Sequence, residues 1–231
     1  MARSARIDKL GTDWAALLMG TGIGLTVALQ ATTMRSADFR DVYQWIDTIA
    51  RTCALLGTYF ALAGVLLVAR IPWVERGVGH DRLVTWHRKL APYSLYLIGL
   101  HVLLVLIGYA GEEHISLFSE LRKLLAQYPW MWWALIGLFL MIQAGITSYK
   151  KARAKLSYET WWLIHILTYF AVAASFMHQL LNGPMFIGHP LNKAYWIGLY
   201  VAVFASIAIW RVGLPIWKSL RHDLKVDRVV V

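Results

Sequence analysis

The chain of 231 residues holds a single cysteine, Cys53, which excludes a disulfide scaffold, a cysteine-built zinc site and an iron–sulfur cluster. Charge is scarce as well: 16% of residues are charged, against about a quarter in soluble domains. With 58% hydrophobic residues and a mean hydropathy of +0.51, disorder and an ordinary soluble fold are both excluded. No glycine-rich fingerprint follows a strand pattern, so the chain itself is not expected to bind a dinucleotide.

Asp, Glu, Lys and Arg are missing altogether from six runs, 14–34, 52–69, 90–111, 128–149, 160–181 and 194–210, each 17 to 22 residues long. About 20 helical residues cross a hydrocarbon core, and only helices satisfy their own backbone there. The expected fold is an all-α, six-helix integral membrane bundle. The first run has a basic lead but no A-x-A-like site, so it reads as a span and not a cleaved signal. Domain organisation follows: a tail over 1–13, the bundle over 14–217 and a second tail over 218–231.

The net charge of +10 raises the question of nucleic acid, and its distribution answers it. Seventeen of the 23 lysines and arginines lie in the N-terminal tail, in 70–89, in 150–155 and after 210; six lie on the other side. The positive-inside rule then places both termini in the cytoplasm of a cell-membrane protein. Topology accounts for the charge, and no nucleic-acid partner is needed. Ten tryptophans at or near span ends, Trp196 among them, read as interfacial anchors. The stretch 181–193, rich in Gly and Pro, reads as an outer loop.

Four of the eight histidines lie in or beside spans three and five: His87 and His101, then His165 and His178. Both spans run from cytoplasm to outside. His87 and His165 therefore share the inner level, and His101 and His178 the outer one, roughly 20 Å away at 1.5 Å per residue. Ionisable groups inside a membrane usually face a partner or cofactor. Facing imidazoles suit the two axial positions of an iron porphyrin. With no C-x-x-C-H, such a haem would be b-type. A histidine-lined metal or proton path is the competing reading. It would normally add carboxylates, and none falls in the six runs.

Two local features bear on this geometry. Pro92 lies within span three, so His87 is helical only if the helix starts near Arg82 or Leu83 and passes through the proline. A 14-residue step returns nearly to one helix face, but the 13-residue step from His165 to His178 lands roughly 140° away. Span five therefore needs a distortion, or its two ligands serve differently placed groups.

The stretch His87-Arg88-Lys89 through His101 resembles the helix-three motif of the ferric reductase-like transmembrane domain, the haem half of NADPH oxidases and ferric reductases. Tyr158-Glu159-Thr160-Trp161 through His165 resembles that family's entry to helix five, with His178 at the family's 13-residue distance. The resemblance covers about residues 14–217. It implies two b haems per chain, His87 with His165 holding the inner one and His101 with His178 the outer one. It also implies a cytoplasmic dehydrogenase domain or protein carrying FAD and oxidising NAD(P)H, and an acceptor on the outer face: ferric iron, oxygen or a quinone-like molecule.

Residues 224–231 alternate like the first strand of such a flavin domain, so the chain is expected either to be cut short of it or to be a stand-alone haem subunit serving a partner reductase. Oxidases of the family carry a histidine four residues beyond the outer helix-three ligand. Here that position is Val105, which argues against dedicated superoxide production. Arg51 is a candidate partner for the outer haem's propionates, and Arg88 with Lys89 for the inner one's, since guanidinium matches carboxylate. Tyr169 and Phe170, between the two span-five histidines, read as packing aromatics in preference to a bridge between the haems, Gly20 and Gly24 as a weak helix-contact pair, and His80, His114, His189 and His222 as solvated.

Overall fold

The computed structural model describes residues 2–222, with side chains from 12 to 221; the strand expected over 224–231 lies outside them. The described chain is helical, with no strand. Its elements are α1 (Ala2–Ala31), a 3-10 turn (Ser36–Phe39), α2 (Val42–Leu67), α3 (Pro72–Val78), α4 (His80–Glu112) and α5 (Leu117–Gln127). They continue with α6 (Met131–Ser148), α7 (Lys150–Arg153), α8 (Tyr158–Ala174), α9 (Phe176–Asn182), α10 (Pro190–Ser206), a π-helical segment (Ile207–Gly213) and α11 (Leu214–His222).

Six stretches are long and apolar enough to cross a membrane: α1, α2, α4, α6, α8 with α9, and α10 through α11. The chain is a multi-pass membrane protein. Helices overrun the charge-free runs because a span's ends reach the wet interface, where charge is tolerated. Thus α2 begins ten residues before its charge-free run and carries Asp47 and Arg51 within the helix.

Helix starts follow local chemistry. The Asp41 carboxylate accepts from the backbone N–H of Tyr43 and of Gln44 at the head of α2, and the Ser157 hydroxyl accepts from Thr160 N–H at the head of α8. Pro72 and Pro190 occupy first-turn positions of α3 and α10, where a missing N–H costs nothing. Gly79, at φ +92°, supplies the positive φ that separates α3 from α4. Helix α4 then runs unbroken through Pro92, which puts His87 on the helix.

The bundle is built on two tight antiparallel pairs, α2 with α4 and α6 with α8. A core of Leu62, Val65, Val172, Leu180, Trp196 and Tyr200 joins α2 to α8, α9 and α10. Outward-facing Leu103, Phe139, Ile146 and Val201 leave an apolar perimeter suited to lipid.

Three sequence expectations are corrected in detail. Trp196 is fully buried, not interfacial, because its indole N–H finds an acceptor inside the bundle, the Gln179 amide oxygen at 2.7 Å. Gly20 and Gly24 have nothing within 4 Å of a Cβ site; Gly22 is the contact glycine, with the Tyr59 ring filling its missing side chain's place. His80 is not simply solvated: its Nδ1 lies 3.1 Å from Glu75 Oε1 and 3.2 Å from Arg70 Nη1.

Candidate haem site between two helix pairs

The α2–α4 seam is organised by a seven-residue repeat. His87 Nδ1 lies 2.8 Å from Gly64 O, Ser94 Oγ 2.7 Å from Gly57 O, and His101 Nδ1 3.0 Å from Ala50 O. One rung further, a Cβ on Gly108 would sit 3.3 Å from Tyr43 O. Each step moves seven residues up α4 and seven down α2, the 3.5-residue period of a left-handed helix pair. Alanine and glycine at 50, 57 and 64 let α4 side chains reach main-chain carbonyls. At Gly57 the approach leaves no room for a side chain, since a Cβ would sit 2.9 Å from Ile98.

These bonds decide the state of two imidazoles. A carbonyl only accepts, so Nδ1 of His87 and of His101 carries the proton and donates it. In the neutral ring Nε2 then keeps its lone pair, the arrangement of a ligand whose far nitrogen is held by an outer contact.

The second pair of histidines comes from the other side of the bundle. Helix α8 ends at Ala174, Ser175 makes a turn, and α9 restarts at Phe176. The Ser175 hydroxyl donates to Val172 O at 3.0 Å. This break is a distortion of the kind the 13-residue spacing allows for, and it lies between His165 and His178. Gln179, next to His178, holds the short α9 in place. Its amide oxygen accepts from Trp196 Nε1, and its Nε2 donates to Tyr200 Oη at 3.2 Å and reaches Ser175 Oγ at 3.5 Å.

At the level nearer the chain termini, the His87 and His165 rings stand 6.0 Å apart, centre to centre, at 79°. Two metal–imidazole bonds of about 2 Å, with the offset from ring centre to nitrogen on each side, also come to roughly 6 Å. Trp161 stacks on His165 at 5.0 Å and donates from Nε1 to Ser148 Oγ at 3.2 Å, while the Arg153 guanidinium lies 4.8 Å over the same indole. Ser148 Oγ is also 3.4 Å from His165 Nδ1.

At the far level, His101 and His178 line one cavity of about 560 Å³, together with Arg51, Val105, Tyr109 and Met141. Its walls are mostly aliphatic, as for a pocket that takes a flat apolar ligand. The loop between α9 and α10 closes over it, with Met185 and Phe186 buried. The Nδ1 of His178 is buried without a well-formed hydrogen bond, in contrast to the anchored His101.

The donor set fits a haem. Among the described residues no three His, Cys, Asp or Glu side chains converge as they would around a bare ion. Two imidazoles at each of two levels match a metal whose other four positions a macrocycle fills.

Residues 53–176, just over half of the chain, match the family of the ferric reductase like transmembrane component. The chain belongs to that family. The matched segment runs from mid-α2 into α9 and holds three of the four histidines, with His178 two residues beyond it. The chain is also similar to the heme-binding subunit of protein-methionine-sulfoxide reductase from Brucella ovis, Brucella canis and Brucella suis. Each is 22% identical over 143 residues, 62% of this chain and 60% of the relative. The match thus spans about three fifths of the length of those curated relatives. No solved structure matches.

The flanking candidates divide. Arg51 does reach the far cavity, but its charge is engaged: Nη2 is 2.5 Å from Asp47 Oδ2 and Nη1 is 3.6 Å from Asp38 Oδ1. Arg88 and Lys89 are exposed on α4. Phe170 is exposed and packs edge-on against Trp133, away from an inter-level position, while Tyr169 joins the core. His189, expected to be solvated, lines the far cavity.

Sequence reading missed Asp47, Gln179 and Arg211, and also helix α5, whose Leu121, Leu124 and Leu125 line the far cavity. Leucines at 117, 121, 124 and 125 behind the Ser116 cap were the available signal for α5. No local signal marks Gln179 or Arg211.

Proposed function

We propose that this chain is the haem-bearing membrane component of an electron-transfer system, holding two b haems. His87 and His165 would be the axial ligands at the near level, and His101 and His178 at the far level. Both termini lie in the cytoplasm on this reading. Electrons enter from a reduced flavin on a cytoplasmic NAD(P)H dehydrogenase domain or protein and leave to an acceptor on the outer face. A bound haem supplies one-electron iron chemistry. The protein orients the α4 imidazoles through their Nδ1 contacts to main-chain carbonyls, and its aliphatic pocket keeps water out.

The observation that carries this reading is the pair of histidine anchors on α4, His87 to Gly64 O and His101 to Ala50 O, with His165 6.0 Å from His87 and His178 lining the same cavity as His101. Two protein ligands leave no open iron position, so the acceptor would take its electron at a haem edge. Ferric iron, oxygen and quinone-like molecules fit that outer-sphere role. A second reading of the acceptor is favoured by the relatives, which are subunits of a methionine sulfoxide reductase: a partner enzyme on the outer side.

The test is haem stoichiometry with an absorption spectrum. Purified protein should hold about two b haems per chain, both low-spin and reducible. Folded protein that takes up no haem would end the proposal and return the histidines to a metal or proton path.

A further inference from the structure

Arg211 falls on the tail side when charges are counted along the sequence, and the structure places it within the long helical stretch Pro190–Arg221 that holds the last span. The span changes from α-helix to a seven-residue π-helical segment at Ile207–Gly213. Such segments are rare and cluster at functional sites. The wider turn is packed against its own backbone: a Cβ on Gly213 would sit 2.9 Å from Ala208 O, five residues back. Beside it, Trp210 meets Trp73 edge-on at 4.8 Å.

One contact fixes where the guanidinium goes. Arg211 Nη1 donates to Val68 O at 2.6 Å. Val68 lies one helical turn beyond Gly64, whose carbonyl holds His87. The cation therefore lies about one helical turn from the carbonyl that anchors His87, on the α2 side of the near pair.

Its charge balance differs from that of Arg51. Arg51 has two carboxylates, Asp47 and Asp38. Arg211 has no carboxylate partner among the described residues. A guanidinium has five N–H donors, and capping the end of α2 takes one. A half-buried guanidinium at a span's end, with donors to spare and no counter-ion among the described residues, is suited to an anion.

We infer that Arg211 binds a carboxylate of the macrocycle held between His87 and His165, with the π-helical segment as the device that delivers it. This rests on the proposed ligation of the near pair. A fork of N–H donors matches a propionate, and it would both neutralise Arg211 and fix the ring's rotation about the His87–His165 axis.

The experiment is haem uptake by the apo full-length chain, comparing iron protoporphyrin IX with its dimethyl ester, in wild type and in R211Q and R211K. The His178→Ala background isolates the near site; two-phase titration of the intact chain does so if that background folds poorly. Wild type should bind the free acid at the near site roughly tenfold or more tightly than the ester, as a charged hydrogen-bonded pair allows. R211Q should lose that preference and R211K should keep part of it.

The cycle separates recognition from mere capping of α2, which would weaken both porphyrins equally. Discrimination that persists in R211Q overturns the inference. So does R211Q losing bound phospholipid while its porphyrin preference is unchanged, which would make the anion a lipid phosphate. Wild type with no near-site haem at all would instead overturn the ligation on which the inference rests.

Discussion

The two histidine-bearing walls of the bundle solve the same geometric problem differently. On α4, His87 and His101 sit 14 residues apart on an unbroken helix, and each gives its Nδ1 proton to a carbonyl of α2. On the opposite wall the separation is 13 residues and the helix is broken at Ser175. There His165 leans on Trp161 and Ser148, while His178 is set by the placement of a seven-residue helix. The first wall aims its imidazoles by periodicity and main-chain contacts. The second aims them by a break and by side-chain contacts with α10. A repeating seam resists local change, whereas a broken helix allows each level to be tuned separately.

The largest expected effect tests whether the walls pair as proposed. His101→Ala or His178→Ala should each remove the far haem, and His87→Ala or His165→Ala the near one, taking haem per chain from about two to one in a pyridine haemochrome assay. Either member of a pair leaving occupancy unchanged would undo the assignment.

Next comes the seam. Gly57→Val would push side-chain atoms into Ile98 and Leu97 and should cost on the order of 1–3 kcal/mol in thermal unfolding, loosening both levels together. Gly20→Ala, in open space, is the neutral control.

On the broken wall, Gln179→Leu leaves the buried Trp196 N–H without its acceptor, at about 1–3 kcal/mol. Its spectroscopic effect should fall on the far level alone, read as a change in one of two redox transitions. A change at both levels would mean that the walls are not independent. Ser94→Ala removes the rung between the two histidines and should cost about 1 kcal/mol with neither spectrum altered.

The smallest effect lies outside the membrane, at Glu75 in α3. Burial pushes its carboxyl up, but the hydrogen bonds and charges of Arg70 and His80 outweigh it and hold the group below its ordinary 4.5. The stability this pair contributes is complete above that value and is lost as pH falls through the lower folded one. Glu75→Gln should flatten that acid limb, by less than about 1 kcal/mol, since Arg70 is nearly half exposed. The near and far spectra should not respond.

The sequence alone was enough for the number of spans and for the positions and levels of the four histidines. Charge-free length and spacing along one helix are local properties, and a bilayer enforces both. The 13-residue step left two readings of span five, a distortion or differently placed groups, and the structure shows a break at Ser175. What only the tertiary structure decided is where side chains meet another element's main chain: the carbonyls of Ala50, Gly57 and Gly64, the Gln179 contacts that set α9, and the π-helical segment that carries Arg211 to Val68. A carbonyl has no residue type to read, and a helix break depends on what packs beside it. Such contacts exist only once the helices have paired.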